Sequence, residues 1–123
     1  MTEFEYPRRL RLLTGKDFQF VFDDAQLKVP DQTVLILARP NNLGHSRLGF
    51  VISKKNVRQA VKRNRVRRII RESFRLHQHE LPAVDMIILP RKGIDELDKA
   101  QLHRLINKCW SRMIKKSKKL KLT

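Results

Sequence analysis

Cysteine is nearly absent from this 123-residue chain: Cys109 stands alone, so no disulfide can close within it. A reducing compartment such as the cytoplasm suits that usage. Glycine is scarce too, with four residues, and none falls in the spacing of a P-loop or a dinucleotide-binding loop. The four histidines (His45, His77, His79 and His103) are scattered, and no Cys/His set has zinc spacing. Acidic residues number only 12. The pairs they form, Asp23-Asp24 and the Asp95–Asp98 stretch, are explained by loop solvation and helix capping. No apolar run approaches the ~20 residues of a membrane span. Met1–Leu13 mixes charges of both signs without a continuous apolar stretch, so it does not read as a signal peptide. These absences argue against a metalloenzyme, a nucleotide-loop enzyme and a membrane protein.

What the chain has is positive charge, 28 Lys+Arg against the 12 acids, a formal +16. Residues 54–75 hold ten basic residues and one acid, Glu72, for a net +9, and residues 108–123 hold seven basic residues and no acid, for +7. The remainder nets zero. Charge packed this densely repels itself and is expected where a polyanion supplies the counter-charge.

Apolar periodicity divides the chain into helix, strand, strand, helix, strand, helix within one domain, 1–123. Thr14 and Asp17 form a capping box, and Phe18, Val21, Phe22 and Ala25 make a buried stripe on a helix over residues 15–26, with Phe20 off that stripe. Residues 32–39 and 47–53 read as a strand and its return across the Pro40–Gly44 turn. Residues 85–90 read as a central strand, apolar on both faces. Helices follow over 58–79 and 98–116, Cys109 lies on the apolar stripe of the last, and a frayed basic tail runs over 115–123. The class is α+β, helices on a small sheet, with the hand of any crossover left open.

The helix over 58–79 carries the chemistry. Val66, Ile69, Ile70 and Phe74 mark its buried side, while Asn64, Arg67, Arg68, Arg71 and Arg75 lie broadly opposite. A row of guanidinium groups at helical spacing suits phosphate, which arginine grips with paired donors. Lys62 and Arg63 project toward the apolar side, implying that the helix overruns the core there and aims them at solvent or ligand. An all-Arg face suits phosphates better than DNA base edges. A structured-RNA-binding protein of ribosomal type fits the composition equally well.

Ser53-Lys54-Lys55 followed by Lys62-Arg63-Asn64-Arg65 and the run to Arg75 resembles the arginine-asparagine-arginine signature of the bacterial ribonuclease P protein subunit, most closely in its gamma-proteobacterial members. Arg9–Phe18, Leu43–Gly49 and Glu80–Gly93 resemble the flanking segments of the same family. The resemblance implies a small mixed sheet of about four strands with three helices and a split β-α-β unit of left-handed crossover, so one strand is missing from the periodicity. It implies a cytoplasmic ribonucleoprotein with one protein copy, in which a catalytic RNA with Mg²⁺ removes the 5′ leader of precursor tRNA. The protein would be the auxiliary subunit of that endoribonuclease, without catalytic residues of its own and with no membrane or DNA partner. Carried over by position, Lys54, Lys55, Arg58, Arg65, Arg68 and Arg71 would face the catalytic RNA, and Phe18, Phe22, Ile36, Arg63, Asn64 and Arg67 the leader. Ile36 stands where the family often has Tyr, which removes a stacking ring. The spacing of Phe18 and Phe22 by itself says core.

Overall fold

Thr14 starts the first element: its hydroxyl accepts from the Asp17 N–H at 3.2 Å, and the Asp17 carboxylate accepts from the Thr14 N–H at 3.0 Å. This reciprocal box satisfies two orphan donors of the first turn. The structure, a computed structural model, describes residues 10–12 and 14–120. The elements are α1 (Gly15–Asp23), β1 (Leu27–Pro30), β2 (Val34–Pro40), β3 (Arg47–Phe50), α2 (Ala60–His77), β4 (Val84–Pro90), a 3-10 turn (Ile94–Glu96) and α3 (Lys99–Lys119). Most of Met1–Leu13 and the tail's residues 121–123 lie outside the described residues.

The sheet order is β1-β2-β4-β3, with β1, β2 and β4 antiparallel in turn and β3 parallel to β4. The missing strand is β1, four residues ending at Pro30, too short to announce itself by alternation. The expected β2–β3 hairpin is not formed, because β4 inserts between the two strands. β4 also lies directly beside β3, so the β-α-β unit through α2 joins neighbours and is not split by another strand. As expected, β4 is central, and all but Leu89 of its residues are buried.

Asp85 explains the insertion. It is the rung at which β2, β4 and β3 meet, opposite Arg39 on one side and Arg47 on the other. Its carboxylate accepts from Arg47 Nε at 2.8 Å, from Arg47 Nη2 at 2.6 Å and from Asn41 Nδ2 at 2.8 Å. Those Asp85 hydrogen bonds, against the opposing effect of burial, hold the Arg47 guanidinium above its ordinary pKa. Arg47 also reaches the Asp17 carboxylate at 3.5 Å, and Asn41 donates to the His45 carbonyl. One buried carboxylate thus ties the β2–β3 loop, two strands and α1 together.

The main core lies between the sheet and α2 and α3, where Ile36, Ala38, Met86 and Ile88 meet Val66, Ile70, Phe74, Ile106 and Trp110. Trp110 donates from Nε1 to Ser73 Oγ at 2.9 Å, and Ser73 donates to Asn107 Oδ1 at 3.1 Å, so the polar atoms between the helices are paired. On the opposite sheet face, α1 closes a smaller cluster of Leu12, Val21 and Ile87 with Phe18, Phe20, Leu37 and Leu89 around it. α3 starts from a second capping box, Asp98 with Gln101. It continues beyond the expected end at 116, because buried Met113 and Ser117 prolong the stripe of Cys109. Residues 115–119 are therefore helix, not frayed tail. Arg112 donates to the Pro30 carbonyl, and the Lys116 ammonium to that of Lys28, along the outer edge of β1. The outer edge of β3 is met by the Arg11 backbone, in a parallel bridge with Leu48.

Two outcomes test this packing. Asp85→Ala leaves Arg47 and Asn41 without their shared acceptor and should cost about 3 kcal/mol in urea unfolding, the lower end for breaking a buried pair because Arg47 keeps some contact with water. Burial, reinforced by Asp31 and opposed by Arg112 and Lys108, pushes the Cys109 thiol up to about 11. At pH 8 only about one thiol in a thousand is then thiolate. An aromatic disulfide reagent should label Cys109 in denaturant and leave the native protein unlabelled over the same time.

Candidate nucleic-acid interface

α2 buries Val66, Ile69, Ile70, Ser73 and Phe74, as its periodicity requires. Its basic residues divide into two kinds. Arg63 turns back to donate to the Val57 and Arg58 carbonyls at 2.9 and 2.8 Å, and Arg65 donates to the Leu97 carbonyl at 3.0 Å. These two close the preceding loop and the approach to α3. Arg68 is exposed, as are Lys54, Lys55 and Arg58 on the turn before the helix. That turn is pinned by Lys55 N–H to Ser53 Oγ, by Asn56 Nδ2 to the Pro90 carbonyl and by buried Val57. The first turn of α2 has no acid, and Gln59 makes no side-chain capping bond. The positive end of the helix therefore opens on a depression of about 300 Å³ lined by Lys55, Arg58, Lys62 and Lys92, with Asp95 and Glu96 at its side. Lys62 is exposed as expected, 3.9 Å from Asp95, whereas half-exposed Arg63 bends back through Nη1 to two carbonyls.

A cleft of about 240 Å³ opens at the β3 edge of the sheet, where α1 and α2 approach from opposite faces. It is lined by Arg11, Leu12, Phe18, Leu48, Gly49, Phe50, Arg67 and Arg71. Among the described residues, three guanidinium groups and two rings face this space, and no acid does. Arg67 donates to Asn64 Oδ1 at 2.9 Å, so exposed Asn64 orients it without lining the cleft itself. The Arg71 guanidinium lies 6.0 Å from the centre of the Phe50 ring, within cation–π range. Its Nε is buried and has no hydrogen-bond partner among the described residues. Gly49 leaves room for Phe18: a Cβ there would sit 2.7 Å from Phe18 Cζ and 3.0 Å from Leu12 Cβ, so a side chain at this position must push the ring aside. The glycine lets the tip of the Phe18 ring come close to β3.

Several expectations change. Phe22 is 45% exposed and is absent from both the core and the cleft lining, while Phe20 packs on the sheet with the Arg39 guanidinium 4.0 Å from its ring centre. Val21, not the Phe18–Phe22 line, marks the middle of the buried face. Phe20 and Phe22 flank it by ~100° on either side, and the sheet lies on the side of Phe20. α1 also ends at Asp23, short of Ala25. Ile36 is fully buried in the main core, on the sheet face away from α1, because alternation along β2 gives that face to Leu35 and Leu37. It lines no cleft. Arg71, grouped by the resemblance with the catalytic-RNA contacts, lines the cleft. Phe50 and Arg11 were missed. Phe50 follows Leu48 by two residues at the end of β3, where a ring on the core side runs past its cover.

Among the described residues, no three His, Cys, Asp or Glu side chains form a group that would hold a metal ion, and no helix is long and apolar enough to cross a membrane.

Residues 6–114 match the family model described as Ribonuclease P. The chain is 56% identical over 119 residues to the ribonuclease P protein component of Chromohalobacter salexigens, covering 97% of this chain and 93% of that one. It is 48% identical over 112 residues to that of Escherichia coli, covering 91% and 93%. Its fold is similar to the RNase P protein of Staphylococcus aureus, with a TM-score of 0.76 at 27% identity over 83% of this chain and 93% of that one. The RNase P protein of Thermotoga maritima gives 0.73 at 28% identity over 83% and 96%. A basic α2, a four-stranded mixed sheet and these relatives lead to one conclusion: the chain belongs to the ribonuclease P protein family, the protein component of an endoribonuclease that works with an RNA subunit.

Proposed function

We propose that this chain holds the 5′ leader of precursor tRNA in the cleft at the β3 edge and grips the catalytic RNA through Lys54, Lys55, Arg58 and Arg68. The observation that carries the reading is the composition of the cleft. Phe18 and Phe50 offer faces for unstacked bases, and Arg11, Arg67 and Arg71 supply charge for the phosphates between them. That combination of rings and guanidinium groups is how single strands are bound with little sequence preference. The unpartnered Arg71 Nε is a donor that a phosphate oxygen would satisfy. The lysines of the pinned turn and Arg68 carry no ring beside them and suit the backbone of a folded RNA. Mg²⁺ and the hydrolysis belong to the RNA in this reading, and the chain works as a single cytoplasmic copy, contributing position and charge. The protein alone should therefore leave precursor tRNA uncut at any Mg²⁺ concentration.

The test is a leader-length series with the reconstituted complex. Arg68→Ala should weaken assembly with the catalytic RNA to the same degree for every substrate, because a phosphate contact positions without reading. Gly49→Ala should displace the Phe18 ring, costing ~1–3 kcal/mol of stability by overpacking. It should lower affinity for precursors with leaders of several nucleotides by the worth of a stacked base, ~1–3 kcal/mol, and spare mature tRNA. Equal weakening of precursor and mature tRNA by a folded Gly49→Ala protein would sink the cleft assignment.

A further inference from the structure

The α2 segment accounts for one of the two charge concentrations in the sequence, and the C-terminal one is left over. α3 contains eight Lys+Arg and no acid between Lys99 and Lys119. Its inward side is occupied by Leu102, Ile106, Cys109, Trp110, Met113 and Ser117. At ~100° per residue, Arg104, Lys108, Lys115, Lys118 and Lys119 fall within an arc of about 100° on the opposite side. All five are exposed. Lys108 is paired with Asp31 at 3.2 Å. Arg104, Lys115, Lys118 and Lys119 have no ion-pair partner among the described residues. The helix dipole favours cations in the last turn only and does nothing for Arg104. Like charges one turn apart destabilise a helix, so the row carries a repulsion that the dipole offsets only for Lys118 and Lys119 and Asp31 only for Lys108.

We infer that the outer face of α3 is a separate binding surface for the phosphate backbone of an RNA double helix. The row from Arg104 to Lys118 extends ~21 Å along a rigid rod, at 1.5 Å per residue. Fixed charges on a rod match the fixed phosphate rows of a duplex, which is recognised by shape and backbone and not by base edges. A single strand needs stacking faces beside its phosphate contacts, and this face has no ring: the one aromatic residue of α3, Trp110, is buried. A lipid surface would want several apolar residues beside the charge; Leu120 at the end of α3 is exposed, but the apolar stripe of the helix is covered by the sheet and α2. The surface is also distant from the cleft. α3 packs on β1 and the cleft opens at β3, the two outer strands of the sheet, whose axes are about 14 Å apart at ~4.8 Å per strand.

The experiment compares the full chain with a variant carrying Arg104→Gln, Lys115→Gln, Lys118→Gln and Lys119→Gln. Three probes are titrated over a range of salt: a blunt RNA duplex of about 20 base pairs, a single-stranded RNA of about 8 nucleotides, and phosphatidylcholine vesicles with about one-quarter phosphatidylserine. Duplex affinity should fall roughly tenfold or more near physiological salt, and the salt slope should shrink by roughly 3 to 4, at ~0.9 per lost phosphate contact. Single-strand affinity should stay within about twofold, since the rings and guanidinium groups of the cleft are untouched. Arginine at Lys115, Lys118 and Lys119, with Arg104 kept, should retain duplex binding and helix content alike. Unchanged duplex affinity in the glutamine variant overturns the inference, as does an equal loss for the single strand, or a loss confined to vesicles. Failure of the cleft reading would appear with Gly49→Ala in the single-strand arm and would leave the duplex arm unaffected.

Discussion

Asp85 is the residue on which the arrangement of this fold turns. Three strands meet at its rung, and its carboxylate takes a forked guanidinium from one strand and an amide from the loop beyond another. A carboxylate this deeply buried is tolerated only when its oxygens are satisfied. Of the groups that satisfy it, Arg47 stands beside it in β3 and Asn41 follows directly on β2. A slip of one residue in either ladder would turn its side chain to the other face and leave these groups apart. The pairing therefore selects the register of both ladders at once and keeps β4 between β2 and β3. The cleft inherits its geometry from that choice, since Gly49 and Phe50 follow Arg47 on the same short strand.

The sequence discloses most of the elements and little of the pairing. Thr14 with Asp17, the apolar run of β4 and the stripes of α2 and α3 are local signals, and the structure has each of them. The β2–β3 hairpin looks plausible because turn residues join two apolar segments, but nothing local says that a strand arriving 34 residues later (Val84 after Phe50) will come between them. β1 has only Leu27 and Val29 to bury, too few for alternation to be seen. Phe20 and Phe22 lie symmetrically about Val21, so periodicity alone cannot choose between them. The sheet and Arg39 choose. Ile36 illustrates the reverse case: a position carried over from a family pattern needs the strand's facing before it can be called surface.

The charge count also overstates the hydrogen-bond donors on offer. Of the ten basic residues between 54 and 75, Arg63 and Arg65 are engaged with backbone carbonyls and brace the loop and helix that display the others. Arginine can serve in this way because its donors point in several directions from one planar group. The remaining cations are sorted by company. Those beside Phe18 and Phe50 share a cleft with aromatic faces, and those on the turn before α2 and on α3 stand without them. A protein of this size thus carries cationic surfaces of two kinds, one with rings and one without.

The side chains that α3 sends across β1 have an effect unrelated to RNA. An outer strand with free carbonyls and amides is a template on which another chain can extend the sheet. Here Arg112 and Lys116 occupy the Pro30 and Lys28 carbonyls, proline ends the strand, and on the far side the Arg11–Leu12 backbone lies along β3. Both borders of the sheet are closed by the chain's own groups, one of them by cations that would also repel an identical copy. Edge-to-edge pairing between free copies of the chain is thereby disfavoured.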